Sequence, residues 1–369
     1  MKTILFVGTD ILNYKSSGDK NFWLELFDNL DKTKFKISIL SINNLKEDTK
    51  YKNIKIFNLN PISFKKNSSN KVDKSFHRNY YEKTLSLVKL IPKIKFIIKS
   101  EKVDIVHFID NYGPLMYLFK PFMRSTKLTC NAIVYNPTFK FYDSFLRLSF
   151  SNFDKIISYS EAYKNILNKW NFKNVEVIHW GVIPSIYSHK NKNNKSIIWT
   201  GNLQQTGEKE FYYSLNFANK LIELDPKISF NFIFKPEHFK EKYKNLSNER
   251  ILIDKSSGKD FNQLIRQYNF LLCPILNKKS TIGPPLTWIE SLNNGIPIIT
   301  NKNSGCEEII NKNNGFVFDE INYNLILNFI KNNNHNYSKI SKNAQMTIKE
   351  DYNILKITKQ YENLWGNLK

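Results

Sequence analysis

The chain of 369 residues is long for a single hydrophobic core, and its 41% hydrophobic and 14% aromatic content is that of a folded protein, not a disordered one. Its 55 Lys and Arg against 33 Asp and Glu give a formal charge of +22, which favours an anionic partner such as a nucleic acid or an acidic lipid surface. Cys130, Cys273 and Cys306 are too scattered for a disulfide framework or zinc site, the six histidines lack metal-ligand spacing, and no apolar run approaches the ~18 residues of a membrane span.

The opening, "MKTILFVGTD", has one lysine and an apolar run too short for the core of a secretory leader, so a soluble or peripheral cytoplasmic protein is expected. "KTILFVG" (Lys2–Gly8) predicts a buried parallel strand, followed by a polar loop with Gly18. "NFWLELFDNL" then places Phe22, Leu26 and Leu30 on one face of a helix. "FKISILSI" (Phe35–Ile42) and "NIKIFNL" predict strands, and polar "SFKKNSSNKVDKS" predicts a loop. A basic helix over Glu82–Ser100 leads to a strand over Val103–Ile109, and "KLTCNAIVY", "FDKIISYS" and "VEVIHWG" continue the alternation. "SHKNKNNK" (Ser188–Lys195) has a linker's composition.

The alternation then restarts, with strands predicted over Ser196–Gly201, Ser229–Phe234, Arg250–Asp254, Phe270–Ile275, Ile296–Thr300 and Gly315–Phe318. Helices are predicted over Glu208–Leu224 and Leu286–Asn293, and the remainder reads helical to Lys369. No repeat of solenoid length is present. The expected class is α/β, with two Rossmann-like doubly wound domains facing across a cleft. Their expected limits are 1–184, a linker at 185–195, 196–350, and a terminal helix at 351–369 packing back on the first domain.

The charge is uneven. Residues 1–200 hold 33 Lys and Arg against 16 Asp and Glu, and residues 51–100 alone hold 12 against 2. "KTLSLVKLIPKIKFIIKS" (Lys83–Ser100), with "YLFKPFMR" and "FYDSFLRLSF", fits an amphipathic surface resting on an anionic membrane, and it fits equally an ordinary core helix with solvated lysines. No recognition-helix, RNP-type or zinc-finger signature accompanies the charge, which argues against nucleic acid.

The stretch "STIGPPLTWIESLNNGIPIIT" (Ser280–Thr300) is the most distinctive. Proline suits the first turn of a helix, so Pro284-Pro285 fixes where Leu286–Asn293 starts, and Gly283 lets the backbone approach a ligand. The prolines donate nothing, so an anion in front of this helix would meet the amides of Leu286 and Thr287 and the Thr287 hydroxyl. Glu290, about one turn on, can accept a hydrogen bond from a ligand hydroxyl or pair with a surface lysine.

"PPLTWIESLNNGIPIITNKNSGCEEIINKNNGFVF", "FDKIISYSEAYKNIL" with "VEVIHWGVI", and "IIWTGNLQQTGEKEFYYSLNFANKL" together resemble the glycosyltransferases of family 4, over nearly the whole chain and in the family's order. The resemblance implies the GT-B fold and transfer of a hexose-type sugar from a nucleotide-sugar to a glycan or lipid-linked acceptor. Retention, a pathway of cell-surface polysaccharide or glycoconjugate synthesis, and independence of metals or other cofactors are implied with it. It places Glu290 on the donor's ribose, and Gly18, Gly201, Asn202, Gly283, Leu286, Thr287, Gly305 and Glu308 around the donor. Lys235 and Lys209 are the candidate cations for the diphosphate, and Tyr135 and Asp110 lie on the acceptor side.

Four departures accompany the resemblance. The family's first glutamate falls at Ile282, its Arg and Lys fall near Asn202 and Thr206, its histidine is Tyr135, and its hinge is reduced to Gly181-Val182. Changed donor specificity is one reading, and a sugar-nucleotide-binding protein that no longer transfers is the other. A nucleic-acid binder and a sugar-nucleotide epimerase on the same fold fit the residues less well.

Overall fold

Apolar runs bounded by polar turns form the strands of two sheets in which every pairing is parallel. The computed structural model describes residues 1–8, 18–41, 54–58, 91–109, 123, 125–132, 147–148, 150–187, 195–201, 208–256, 261–276, 283–302 and 308–368. The chain divides into a unit of Met1–His179 completed by Ile354–Lys369, and a unit of Trp180–Asn353.

In the first unit the strands are β1 (Lys2–Gly8), β2 (Phe35–Ser41), β3 (Lys55–Asn58), β4 (Ile105–Phe108), β5 (Lys127–Asn131), β6 (Lys155–Ser158) and β7 (Val175–Val177), in the order β3-β2-β1-β4-β5-β6-β7. Helices α1 (Gly18–Asn29), α2 (Ile91–Glu101) and α3 (Glu161–Lys169) connect them, with Pro92 in the first turn of α2 and the Ser160 hydroxyl capping α3 through the Tyr163 amide at 3.1 Å.

The second unit holds β8 (Lys195–Gly201), β9 (Ile228–Phe234), β10 (Ile251–Lys255), β11 (Phe270–Leu272), β12 (Ile298–Asn301) and β13 (Gly315–Phe318), in the order β10-β9-β8-β11-β12-β13. Its helices are α4 (Glu208–Leu224), α5 (Glu241–Lys244), α6 (Phe261–Ile265), α7 (Leu286–Asn293), α8 (Tyr323–His335) and α9 (Tyr337–Asp351). The last helix, α10 (Ile354–Asn367), belongs to the first unit.

The central strands read as unbroken apolar runs because both faces of each sheet are covered. Ile197, Trp199, Phe270 and Leu272 enter one buried layer of the second unit with Phe211, Phe217 and Phe232, while Ile198, Leu271 and Ile298 enter the other with Trp288, Ile289 and Leu292. In the first unit, His107 of β4 is fully buried among Phe6, Trp23, Tyr361 and Trp365, with ring centroids 5.1–6.1 Å away.

β11 and β12 are shorter than their apolar runs suggest, for one reason. Pro274 follows β11 and Pro297 precedes β12, and proline supplies no amide to a ladder. The expected helical tail is three helices, broken at Asn336 and at Tyr352-Asn353. The expected helix over Glu82–Ser100 is seen from Ile91, and its earlier part, like "SFKKNSSNKVDKS", lies outside the described residues. Among the described residues no helix is long and apolar enough to cross a membrane.

Candidate ligand site at the carboxyl edge of the second sheet

In a parallel sheet all strands end at one edge, and a crevice opens there where the strand order reverses, because adjacent connections leave to opposite faces. In the second sheet that place lies between β8 and β11. The chain leaving β8 forms α4, whose Phe211, Phe217 and Leu221 bury in one layer, and the chain leaving β11 reaches α7, whose Trp288, Ile289 and Leu292 bury in the other.

The start of α7 is built for an anion. Gly283 adopts φ +113°, in the left-handed region that favours glycine, and turns the chain into buried Pro284. Pro285 is the N-cap at φ −61°, its carbonyl accepts the Trp288 amide at 2.9 Å, and no side chain caps the helix. The amides of Leu286 and Thr287 have no acceptor among the described residues, and no acid stands in the first turn. Glu290 follows one turn later and is half-buried, its carbonyl accepting the Asn294 side-chain amide at 2.8 Å.

The start of α4 is the electrostatic opposite. Its first turn carries Glu208 and Glu210. Glu208 accepts from Lys240 Nζ at 2.5 Å, Tyr243 OH at 2.5 Å and Lys242 Nζ at 3.3 Å. Those hydrogen bonds, that from Lys240 foremost, hold its carboxyl down at about 2. Burial, chiefly, pushes the Tyr243 phenol up to about 12. Lys209 sits exposed between the two acids, and Lys235 is exposed where β9 passes into the 3-10 turn Pro236–His238.

The loop leaving β11 is clamped from both sides. Glu210 Oε1 accepts the Leu276 amide at 2.9 Å. Asn301, at the end of β12, accepts the Ile275 amide at 2.7 Å and donates to the Ile275 carbonyl at 3.0 Å, while Thr300 Oγ1 donates to the Cys273 carbonyl at 2.8 Å. Burial pushes the Cys273 thiol up to about 12, so it stays a neutral packing group. Sequence reasoning did not single out Glu210, Thr300 or Asn301. The available signal was three polar side chains at the ends of otherwise apolar elements.

Gly201 ends β8, but its smallness has a reason inside the chain: a Cβ there would overlap the Trp199 indole ring. Gly18 opens α1 after β1, beside the order reversal between β1 and β4 of the first sheet. Glu308 is exposed after β12. Burial raises the Tyr352 phenol well above its ordinary range, and the Glu308 carboxylate adds to that. The structure thus brings Gly201, Gly283, Leu286, Thr287, Glu290, Lys209 and Lys235 to elements that begin or end at one sheet edge. Asn202, Gly305, Tyr135 and Asp110, with Ile282 and Thr206, lie outside the described residues. Among the described residues no three His, Cys, Asp or Glu side chains gather as a metal site.

No protein-family model matches the sequence, and no curated protein matches it significantly. Solved structures do match. A glycosyltransferase from Rickettsia africae superposes with a TM-score of 0.70 at 17% identity, covering 99% of this chain and 97% of that one. Sucrose-phosphate synthase from Thermosynechococcus elongatus gives 0.72 at 13% identity over 99% and 98% of the two chains. HepE from Anabaena, in complex with UDP, gives 0.67 at 14% identity over the full length of both. The fold is that of the GT-B glycosyltransferases. In GT-B terms the doubly wound unit that carries α7 is the second of the pair.

Proposed function

We propose that this GT-B chain is a glycosyltransferase that takes a sugar from a nucleotide-sugar, and that it belongs to family 4. The observation that carries the reading is the start of α7: two amides with no acceptor among the described residues, no acid in the first turn and a glutamate one turn on, at the point of the second sheet where ligands of such sheets bind. Leu286 and Thr287 hold the diphosphate and Glu290 accepts from a ribose hydroxyl, with Gly18, Gly201, Asn202, Gly283, Gly305 and Glu308 around the donor. HepE in complex with UDP-glucose, on the same fold, makes UDP the first nucleotide to test.

The transferred group is a hexose-type sugar, and the acceptor a glycan or lipid-linked glycan in cell-surface polysaccharide or glycoconjugate synthesis. Transfer proceeds with retention and without a metal or other cofactor. The bond from the sugar's anomeric carbon to the diphosphate oxygen breaks on the face where the acceptor oxygen bonds, and the acceptor's proton passes to the leaving diphosphate. Tyr135 and Asp110 lie on the acceptor side. Lys235 and Lys209 supply the positive charge that meets the developing charge. The basic first unit meets an anionic membrane surface from the cytoplasmic side, and nucleic acid is not a partner.

One observation favours a second reading, a sugar-nucleotide-binding protein that does not transfer. Glu208 and Glu210 occupy the start of α4, near which the family's diphosphate-binding cations fall, and Glu208 engages Lys240 and Lys242.

Calorimetry with UDP-, GDP- and ADP-sugars, on the native chain and on Glu290→Ala, tests the site. One nucleotide class is expected to bind, about 10–100-fold more weakly in the variant, the worth of a hydrogen bond to a charged group. A folded protein that binds none of them overturns the proposal. Binding with no release of nucleotide by any acceptor or by water selects the second reading.

A further inference from the structure

A cavity of about 520 Å³ opens at the amino edge of the first sheet, the edge opposite the one where Gly18 opens α1. One wall is the end of α2 (Lys95, Ile98, Lys99) with Lys102 just beyond it, and another is the turn Ser125-Thr126 before β5. Asp104, the one carboxylate among the described residues that line it, is already committed, accepting the Thr3 amide at 2.7 Å. Lys99 and Lys102 have no ion-pair partner among the described residues, whereas nearby Lys36 and Lys55 are held by Glu101. Lysines in a last helical turn complement the helix dipole, but that accounts for neither the cavity they line nor the aromatic ring exposed one turn before Lys99. That ring is Phe96, on the outer face of α2 and 70% exposed.

We propose that this cavity binds the phosphate of an anionic phospholipid headgroup, with Phe96 entering the interfacial layer beside it. Charge complementarity selects the phosphate, and an exposed aromatic next to lysines selects a bilayer over a free ion. The assignment is independent of what the second unit transfers.

Co-sedimentation with phosphatidylcholine vesicles, with and without phosphatidylglycerol, tests it on the full chain. Binding only to the phosphatidylglycerol vesicles is expected, lowered at least about tenfold in Lys99→Glu/Lys102→Glu and lowered in Phe96→Ser. Lys339→Glu/Lys342→Glu, with the same net charge but both changes on α9, is expected to bind as the native chain does. Lys102→Gly serves as a second variant because glycine suits the φ of +51° at that position, so it removes a cation without straining the fold. Calorimetry with inorganic pyrophosphate separates the sources. Binding there but not to vesicles, lost in the α2 variants, keeps the phosphate cavity and makes its ligand a free anion. Equal loss in both double variants, or no binding to either probe, overturns the proposal.

Discussion

His107 is the clearest case of a residue whose role differs from its type. Its ring is fully buried, with Nδ1 2.8 Å from Thr129 Oγ1, Nε2 without a partner among the described residues, and no charged side chain among the rings packed on it. Burial pushes its pKa down to about 3 from an ordinary 6.5. The unfolded chain therefore takes up a proton below about pH 6.5 that the folded chain refuses until about pH 3. Stability from this group is complete above 6.5 and is lost as pH falls through that window. Between pH 7.5 and 5 the native chain should lose about 2 kcal/mol more than His107→Gln, measured by denaturant unfolding at each pH. Equal losses would mean the ring is protonated in the fold.

Gly201 tests a different confusion at the same scale. The resemblance assigns it to donor approach, whereas its environment assigns it to the Trp199 ring. Gly201→Ala should lower stability by about 1–3 kcal/mol, the usual cost of overpacking, with the melting temperature falling whether or not nucleotide is present. An unchanged melting temperature with lost nucleotide binding would return Gly201 to the donor. The start of α7 was legible because proline and glycine chemistry fixes a helix start locally. Gly201's reason was not, since two residues two positions apart give no sign in sequence that one ring folds over the other.

At the scale of elements, the strands and α4 and α7 were legible because burial on both faces writes unbroken apolar runs and a 3.6-residue period into the chain. The clamp on the loop after β11 was not. Its hydrogen bonds run between side chains and backbone 26, 27 and 66 residues apart, so no window of sequence contains both partners. That clamp holds Ile275 and Leu276 just after the chain leaves the sheet. Asn301→Ala removes both bonds to Ile275 and leaves its amide and carbonyl unpaired, so it should cost about 1–3 kcal/mol in unfolding free energy. Nucleotide affinity should fall with it, although Asn301 is assigned no contact with the ligand. Asn301→Asp should recover only the bond from the Ile275 amide, because a carboxylate cannot donate to the carbonyl. A variant as stable as the native chain would show that the loop is held elsewhere.

At the scale of the whole molecule, the order of the chain and the grouping of its elements disagree. The first unit is incomplete without α10, the last helix. Tyr361 and Trp365 are fully buried there, Trp365 meeting Phe6 edge-on at 5.5 Å. Lys2 Nζ donates to the carbonyls of Trp365, Gly366 and Leu368 at 2.7–2.9 Å, and Glu362 accepts the Asp31 amide at 2.8 Å. The second unit has its own two buried layers, and its Lys195–Asp225 pair, at 2.6 Å, closes within it. Truncating the chain after Asn353 should therefore leave the second unit folded and strip the first of one side of its core. Hydrogen exchange read by mass spectrometry should then show peptides of β8 and β9 protected as in the full chain, and peptides of β1 and β4 exchanging freely. Trp365→Ala in the full chain should reproduce the pattern in milder form, costing the first unit about 3–5 kcal/mol. If β1 and β4 stay protected in the truncated chain, the first unit's core does not need α10. If β8 and β9 lose protection as well, the two units fold as one.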